Sequence, residues 1–365
     1  MQLPSDDQRA LREVCRELLG THSTSAQIRS VADSKTGHDS DLWKLTADLG
    51  WNALALPEDL GGLGGAACDL AVVAEEFGRA NQPSLLVQTL AVGWVLGRHA
   101  SDEPSVRPLL DGIAAGDVIA SWASGEPGGD DLVALDESRG SARVTGVREY
   151  VPDAQAATHV AVCVESAGGP RLAVVLLTGD GVSVTPMQTM DITRRYSRIH
   201  FDGTAVPIGL VLPAGAAEDL LQLGTVLQCA ESSGVASRLL DMTVTYVEQR
   251  TQFGKPIGSF QAIKHRIADM LVEVEGCRVA TREAAEALDS GSGVREAVSV
   301  AKSWVGRGTS FVATHALQIH GGIGFSWEHD LHLYLRRAKV NELVLGSPSW
   351  HEDRLAGLLA SERSS

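Results

Sequence analysis

The amino-acid sequence predicts a mostly helical α+β chain in three parts: an N-terminal helical domain (1–117), a middle β domain (118–211) and a C-terminal four-helix bundle (212–365). Apolar residues recur at helical spacing through most of the first part. Short β-type runs, separated by Gly, Asp and Pro, fill the second part. Helical spacing returns at Ala217 and continues without proline to Gln249.

The first part is predicted to contain helices at Asp6–Leu19, Asp41–Leu49, Asp69–Gly78 and Leu85–His99. Ser5 is a candidate N-cap for the first of them, because a serine hydroxyl can accept a hydrogen bond from a free amide of the first turn. Closely spaced Gly and Pro residues oppose regular structure, so the segment 57–65 is predicted to be a loop.

The middle part shows four runs rich in β-branched and apolar residues: Val118–Trp122, Ala157–Val164, Arg171–Leu177 and Ser197–Phe201. After it, Ala217–Gln249 predicts a helix roughly 50 Å long at 1.5 Å per residue. Three further long helices are predicted at Phe260–Leu288, Val294–His320 and Asp330–Leu345. Helices of this length are typical of a bundle whose outer faces contact other subunits.

Composition excludes several classes of partner. A formal net charge of −15 over 365 residues argues against nucleic acid and against an anionic membrane surface. The five cysteines form no CxxC pair, which indicates neither a zinc site nor a disulfide framework. The N-terminus is polar and acidic, and no apolar run is long enough to span a membrane. We therefore expect a cytoplasmic protein.

The segment Arg250-Thr-Gln-Phe-Gly-Lys-Pro256 ends the longest helical pattern with a cation and leads through a loop into the next helix. A guanidinium at this position can bind a phosphate through two hydrogen bonds. The alternative is a surface cation that only complements the helix dipole.

A second segment, Gln318-Ile-His-Gly-Gly-Ile-Gly324, follows another helical pattern. Glycines lack a Cβ, so their backbone amides can approach phosphate oxygens closely. The alternative is a simple helix C-cap and turn. His320 is interpreted as a packed histidine rather than as a ligand or a base.

These two segments together resemble the C-terminal FAD-binding signature of the acyl-CoA dehydrogenase family. Leu56-Pro-Glu-Asp-Leu-Gly-Gly-Leu-Gly64 and Ala74-Glu-Glu-Phe-Gly78 are similar to its N-terminal pattern, so the resemblance covers almost the whole chain. It implies that FAD contacts come from Arg250, Gln252, Phe253, Gln261, Gln318, Gly321 and Gly322, partly across a subunit interface.

The flavin end of the resemblance is weaker. Where the family has a T-E-P-x-A-G-S-D segment, this chain reads Ser124-Gly-Glu-Pro-Gly-Gly-Asp-Asp131, without the threonine. Where the family has Trp-Ile-Thr over the flavin, this chain has Tyr150-Val-Pro152. The resemblance therefore implies that Ser124 and Tyr150 make the flavin contacts that other residues make in the family.

The usual catalytic glutamate is missing. By alignment with the family it corresponds to Leu345, and its alternative position in some members corresponds to Gly224. A leucine cannot remove the α proton of an acyl-CoA. Glu231 is the remaining candidate base on the long helix; the alternative is a buried structural hydrogen-bonding residue. Gln222 and Thr225 stand where the family has a CoA-side aspartate and arginine.

The resemblance implies the partner subunit of an α2β2 heterotetramer, of the kind that actinobacteria use on steroid-CoA thioesters. In this interpretation a second acyl-CoA dehydrogenase-family subunit supplies the base and this chain completes its FAD site. An electron-transfer flavoprotein and oxygen are the two candidate electron acceptors, and the sequence does not decide between them. The alternatives are a self-sufficient dehydrogenase using Glu231, a flavin monooxygenase or tailoring enzyme on the same fold, and a structural subunit without flavin.

Overall fold

The computed structural model describes residues 4–125, 133–138 and 141–362. The helices before the sheet are α1 (Asp6–His22), α2 (Ser25–Asp33), α3 (Ser40–Asp48), α4 (Ala67–Ala80), α5 (Leu86–Ala100) and α6 (Arg107–Ala115). The sheet strands are β1 (Ala120–Ala123), β2 (Val133–Ser138), β3 (Ser141–Pro152), β4 (His159–Ser166), β5 (Gly169–Leu176), β6 (Val182–Met187), β7 (Tyr196–Val206) and β8 (Val211–Leu212). The elements after the sheet are α7 (Ala214–Gln249), the hairpin strands β9 (Thr251–Gln252) and β10 (Lys255–Pro256), α8 (Gln261–Ser290), α9 (Val294–His320), α10 (Leu331–Leu343) and α11 (Pro348–Glu362).

This order of helices, sheet and helices confirms the predicted fold class. Each predicted helix and strand is present. α9 has the predicted bounds, and each of the others begins or ends at a different residue. Ser5 caps α1 as predicted, and Gln8 completes a capping box with it. The prediction omitted α2, α6 and α11, as well as β2, β3, β6, β8, β9 and β10. The predicted loop 57–65 contains a short 3-10 turn at Glu58–Leu60.

The chain divides into two compact units, and each unit is built from segments that are separated along the chain. One unit, here called the bundle unit, contains the described residues up to Ile28, the segment Ala67–Gln82 and the described residues from Thr225 onward. The other, here called the sheet unit, contains Arg29–Ala66 and the described residues of Pro83–Gly224. The three domain boundaries predicted from the sequence stay a prediction.

The sheet unit is built around one eight-stranded mixed sheet. Its strand order is β6-β7-β3-β2-β4-β5-β8, and β1 pairs with β4 off this path. β1 and β2 run parallel to β4, and the other pairs are antiparallel. Within this unit, α5 packs on β1, where the Thr89 hydroxyl hydrogen-bonds the backbone of Ala120.

The bundle unit has a core shared by four helices, as predicted for a four-helix bundle. The buried residues of this core are Val235, Ala236, Leu239 and Leu240 of α7, Met270 and Val274 of α8, Val312, Ala313 and Ala316 of α9, and Leu331, Tyr334 and Ala338 of α10. Removing this apolar surface from water is the main stabilising contribution to the unit.

α4 and α7 cross at two glycines. A Cβ added at Gly78 would lie 2.0 Å from the carbonyl oxygen of Glu231, and one added at Gly234 would lie 1.9 Å from the carbonyl oxygen of Glu75. Any side chain here would force the two backbones apart. The close crossing also fixes the position of the Glu231 backbone relative to α4.

We expect Gly234→Ala to lower the free energy of unfolding by about 3 kcal/mol, because the obstructing atoms belong to the backbone and cannot rotate away. Gly357→Ala on α11 is the matched control. It meets no atom within 4 Å, and should raise stability by roughly 0.5–1 kcal/mol through helix propensity. Urea unfolding of the two variants measures both values. Equal changes in the free energy of unfolding for Gly234→Ala and Gly357→Ala would contradict the close crossing.

α1 is held on α4 by ion pairs between partly exposed arginines and two buried carboxylates. Arg16 donates to both carboxylate oxygens of Glu76 at 3.0 and 2.8 Å, and Arg12 reaches Glu76 at 3.0 Å and Glu75 at 2.8 Å. Arg278 of α8 donates to Glu75 at 2.9 Å. Burial alone would raise the pKa of Glu75, but the hydrogen bonds and charges of Arg12 and Arg278 lower it. Glu75 is therefore a structural anion, and Glu76 joins α4 to α1 through its hydrogen bonds with Arg12 and Arg16.

Candidate functional site

Arg250 directly follows the last residue of α7, with its amide bonded to the carbonyl of Tyr246 at 2.8 Å. The short strands β9 and β10 then pair, with Gln252 opposite Lys255. Arg250, Gln252 and Phe253 are exposed, as is Gln261 at the first position of α8. The structure therefore places all four predicted cofactor contacts of this segment on or directly after one exposed hairpin.

The turn of this hairpin holds a non-glycine residue in a left-handed conformation. Phe253 has φ 52° and Gly254 has φ 78°, as in the mirror-image turns that close two-residue hairpins. The Phe253 side chain is 92 % exposed, and its ring touches that of Phe260 at a centroid distance of 6.1 Å. Folding alone gives no reason to keep a bulky, exposed aromatic residue at a strained position.

We expect Phe253→Asn to raise the free energy of unfolding by about 1 kcal/mol, since asparagine tolerates the left-handed region and phenylalanine does not. If Phe253 contacts the cofactor, the same variant should retain less FAD after purification. Thermal unfolding and the flavin absorbance per chain measure the two effects. A variant that gains stability and keeps its full flavin content would remove Phe253 from the cofactor site.

The second segment forms a turn at the end of α9. Gln318 is exposed in the last turn of the helix, and Gly321 and Gly322 are exposed in the 3-10 turn that follows. Gly321 has φ 61°, and a Cβ at either glycine would meet no atom within 4 Å. Open space in front of two exposed glycine backbones suits the close approach of a phosphate or a ribose.

The structure brings the two predicted segments together through His320. Its ring stacks on Tyr246 of α7 at a centroid distance of 4.4 Å, and the Tyr246 hydroxyl donates to the His320 carbonyl at 3.4 Å. His320 is 3 % exposed, and burial lowers its pKa. The interpretation of His320 as a packed histidine is confirmed, and its packing links the end of α7, with Arg250, to the glycine turn.

Ser124 and Tyr150 lie in the sheet unit. Ser124 follows β1, and Tyr150 lies in β3 beside a register shift of the β3–β7 pair, with φ 53° and a half-exposed ring. The Ser121 hydroxyl donates to the Pro152 carbonyl at 2.5 Å, and Gly125 lies against the Arg148 guanidinium. The end of β1 therefore runs beside the end of β3 and brings Ser124 near Tyr150. The following residues, Glu126–Asp131, lie outside the described residues.

Leu345 occupies the loop between α10 and α11. It is 4 % exposed and has φ 61°, which is strained for a leucine. His351 of α11 holds this loop, with Nε2 2.9 Å from the Leu345 carbonyl oxygen. An aliphatic, buried side chain at this position offers no proton acceptor.

Burial lowers the pKa of His351 to about 4. Because an unfolded histidine titrates near 6.5, the unfolded state binds more protons between pH 6.5 and about 4. We therefore expect stability to be fully present above pH 6.5 and to be lost progressively as the pH falls toward 4. The difference in unfolding free energy between the native chain and His351→Gln, measured across this window, should shrink as the pH falls. A difference that does not change with pH would contradict the shift.

Glu231 is buried and ion-paired. Its Oε1 accepts from Arg337 Nη1 at 2.6 Å, and the side chains of Glu231 and Arg337 are 3 % and 0 % exposed. Asn341 Nδ2 lies 3.5 Å from the same oxygen. Glu342, one turn before Leu345, also has partners, because its Oε2 accepts from Ser310 and Lys339.

Sequence reasoning missed Arg337 and Tyr246. Arg337 is 106 positions from Glu231 along the chain, so no spacing rule connects them. The sequence signal that could have revealed Arg337 was an arginine among the apolar positions of a core helix. A buried arginine requires an anion as its partner. Tyr246 lies four residues before Arg250, on the same face of the helix.

Among the described residues, no group of three or more His, Cys, Asp or Glu side chains could hold a metal ion. A search of the described residues also finds no helix long and apolar enough to cross a membrane.

The two FAD-type segments on a helical bundle, together with a preceding sheet, define a chain of the flavin-dependent dehydrogenase class. Family models match two stretches, the acyl-CoA dehydrogenase N-terminal domain at residues 5–117 and the acyl-CoA dehydrogenase C-terminal domain at residues 215–357. The chain belongs to the acyl-CoA dehydrogenase family, whose members are FAD-dependent oxidoreductases acting on acyl-CoA thioesters.

Individual relatives cover nearly the whole chain. Acyl-CoA dehydrogenase IpdE2 of Mycolicibacterium smegmatis is 33% identical over 345 residues, which are 94% of this chain and 96% of that protein. The Tcur3481-Tcur3483 steroid ACAD variant is similar in structure, with a TM-score of 0.93, 29% identity and 99% of both chains covered. The ChsE4-ChsE5 complex from Mycobacterium tuberculosis also gives a TM-score of 0.93, with 26% identity and 99% of both chains covered.

Proposed function

We propose that this chain is the subunit of an α2β2 acyl-CoA dehydrogenase that completes the FAD site of a second family member and supplies no catalytic base itself. The observation that carries this proposal is the buried Leu345 at the position of the family's catalytic glutamate. Removal of the α proton needs a carboxylate whose pKa is raised by burial without a paired cation.

The nearby carboxylates support the same conclusion. Glu231 Oε1 lies 2.6 Å from the Arg337 guanidinium, and a cation at this distance stabilises an ionised carboxylate and so makes it a weaker base. Glu342 is bonded to a lysine and a serine. At the alternative position of the base, Gly224 has no side chain at all. The partner subunit is therefore the source of the base.

The residues of this chain fit the role of holding FAD. Arg250 is exposed and forms no ion pair with any of the described residues, so its guanidinium is available to the pyrophosphate. Gln252, Phe253 and Gln261 are exposed beside it, with Gln261 toward the adenosine end, and Gln318, Gly321 and Gly322 supply an open turn whose backbone FAD can approach. When bound, FAD accepts the hydride that leaves the β carbon of the thioester. Ser124 and Tyr150 are the proposed contacts at the flavin end.

The proposed reaction is α,β-dehydrogenation of the CoA thioester of a steroid side chain. The proposed electron acceptor is an electron-transfer flavoprotein. Two similar structures support the substrate class and the assembly: the first is a steroid ACAD named for two proteins, Tcur3481 and Tcur3483, and the second is the ChsE4-ChsE5 complex. Gln222 and Thr225, at the positions of the family's CoA-side charges, are 5 % and 1 % exposed. Neither carries a charge, so the thioester is assigned to the partner's pocket.

Two other functions remain as outcomes of the test. A self-sufficient dehydrogenase would need Glu231 to leave Arg337 in order to reach a substrate. A monooxygenase or tailoring enzyme on the same fold would need no α-proton base, and its flavin would not be bleached by a thioester under anaerobic conditions.

The test is the visible flavin spectrum of the chain purified alone and after co-expression with a second acyl-CoA dehydrogenase-family protein that has the catalytic glutamate. Anaerobic titration with steroid-CoA and straight-chain acyl-CoA thioesters follows. We expect FAD to be retained, and bleached by a thioester, only in the co-expressed complex. A chain that alone holds FAD and is bleached by a thioester would overturn the proposal.

The Glu231→Gln variant of the complex separates the proposed function from the self-sufficient alternative. It keeps the size of the side chain and its hydrogen bond to Arg337 but cannot accept a proton. We expect the complex to keep its rate of flavin bleaching within a few-fold. A loss of several orders of magnitude, with the FAD content unchanged, would instead identify Glu231 as the base.

A further inference from the structure

The hairpin that carries Arg250 and Gln252 also holds a second cation. Lys255 is the first residue of β10 and lies directly opposite Gln252 of β9. The amide of Ile257 donates to the Arg250 carbonyl at 2.8 Å, so the antiparallel pairing continues to Arg250. Side chains that are directly opposite, or two residues apart along one strand, lie on the same face of a hairpin. Arg250, Gln252 and Lys255 therefore share one face.

The two cations are diagonal neighbours on this face. Lys255 comes two residues before Ile257, the residue paired with Arg250. Diagonal neighbours in antiparallel pairs are about 7–8 Å apart at their backbones, which is within reach of long side chains. A guanidinium and an ammonium can therefore meet the same anion at this face.

The charge of this segment is opposite to that of the whole chain. Residues 250–268 contain four Lys and Arg residues and no Asp or Glu, whereas the chain has a formal net charge of −15. In the described parts of the chain, neither Arg250 nor Lys255 forms an ion pair with a carboxylate. An acidic protein repels an anionic ligand except where cations are concentrated. The hairpin is such a place.

The Lys255 ammonium is held by an aromatic ring. Its Nζ lies 4.5 Å from the centroid of the Phe260 ring, and Phe260 in turn touches Phe253 edge to face. The face of a ring attracts a cation but carries no net charge that could neutralise it. The exposed ammonium also keeps N–H donors for a ligand. Lys255 is thus positioned without being neutralised.

We propose that Lys255 is the second cation of the FAD pyrophosphate site, beside Arg250. This inference rests on the proposed function, which places FAD at the hairpin. Each phosphate of the pyrophosphate carries a negative charge, and the Arg250 guanidinium compensates only one of them. A lysine acts as a point charge and can pair with the other phosphate without the fixed geometry that an arginine needs.

The alternative is a structural role, in which Lys255 only braces the hairpin through Phe260. The two roles differ in their response to salt, because dissolved ions screen the attraction between exposed charges. Loss of a cation that pairs with phosphate makes FAD binding weaker and also less dependent on salt. Loss of a brace weakens binding through the shape of the hairpin and leaves the salt dependence unchanged.

The test is equilibrium dialysis against FAD at low and high ionic strength. It uses whichever assembly retains FAD, either the complex with a second acyl-CoA dehydrogenase-family protein or this chain alone. Lys255→Met removes the charge and keeps most of the side-chain length. We expect it to weaken FAD binding about tenfold at low ionic strength and to reduce the salt dependence. Lys255→Arg keeps the charge and should bind FAD within a few-fold of the native chain.

Two further measurements locate the effect. ADP has the pyrophosphate but no flavin, so Lys255→Met should weaken its competition with FAD by a similar factor. Lys44→Met is the matched control, since Lys44 is an exposed lysine of α3 in the sheet unit. It makes the same change of charge and should leave FAD binding and its salt dependence unchanged. Thermal unfolding verifies that every variant is folded.

The proposal is overturned if Lys255→Met binds FAD as tightly as the native chain, or if its affinity falls with an unchanged salt dependence. Either result in a working complex would leave the proposed function intact. FAD held by the chain alone, with the expected loss in Lys255→Met, would overturn the partner-subunit function and keep the role of Lys255. A native chain that retains FAD in neither assembly would overturn both.

Discussion

Arg337→Leu is expected to lower the free energy of unfolding by about 3–5 kcal/mol, the range found when one partner of a buried ion pair is removed. Arg337 is 0 % exposed and its guanidinium lies 2.6 Å from the Glu231 carboxylate. The leucine would remove the guanidinium with which the buried Glu231 carboxylate is paired. Chemical unfolding of the native and variant chains at neutral pH measures the loss.

The double variant Glu231→Gln with Arg337→Leu separates the cost of an unpaired charge from the loss of the arginine's other contacts. Replacing both members of a buried pair is often close to neutral, so the double variant should recover most of the loss. Arg307→Leu is the exposed control, since Arg307 and its partner Glu352 are 62 % and 45 % exposed. Exposed pairs contribute about 0–1 kcal/mol.

A single variant that loses no more than this surface control would show that Glu231 is not held by Arg337. Arg337 would then not prevent Glu231 from acting as a base, and the self-sufficient dehydrogenase would become the stronger hypothesis. The measurement of stability therefore also bears on catalysis. A base must be able to exist in both protonation states, and a carboxylate whose charge is required by a buried guanidinium is confined to one.

The long elements of this fold were predictable because each carries many periods of its pattern. α7 and α9 run for 36 and 27 residues without proline, and their apolar spacing was sufficient. The short helix α6 was missed, since only three of its residues are buried. β3 was missed although exposed and buried residues alternate at its start, because Ala142 and Gly146 are residues with low strand propensity.

The candidate site was predictable only where residues adjacent in the chain are adjacent in space. The hairpin with Arg250 and Phe253 and the turn with Gly321 are of this kind, so motif reading located them. The partners of Glu231 and of Leu345 were not predictable, since Arg337 joins the first across the bundle and His351 holds the second from the following helix. Motifs report local geometry, whereas the pairing of buried polar groups is decided by tertiary packing.

Arg250→Ala is expected to lower the affinity of the assembled complex for FAD by roughly 100-fold, since each charge-assisted hydrogen bond contributes about 1.5–3 kcal/mol. Arg250→Lys should give an intermediate loss, because a lysine retains the charge but not the bidentate geometry. The FAD content of the purified complex and equilibrium dialysis against free FAD measure both effects. Arg307→Ala makes the same change of charge on an exposed face of the same unit and should retain full FAD content.

The alternative role of Arg250 predicts a different result. A cation that only complements the C-terminal end of α7 would contribute about 0.3–1 kcal/mol to stability and nothing to FAD binding. The FAD-binding role predicts nearly unchanged stability of the chain without cofactor and a large loss of affinity. Because Arg250 is exposed and forms no ion pair with the described residues, little in the folded chain itself should respond to its removal. A complex of the Arg250→Ala chain that retains FAD would assign Arg250 to the helix end alone, and the hairpin would lose its proposed part in completing the partner's cofactor site.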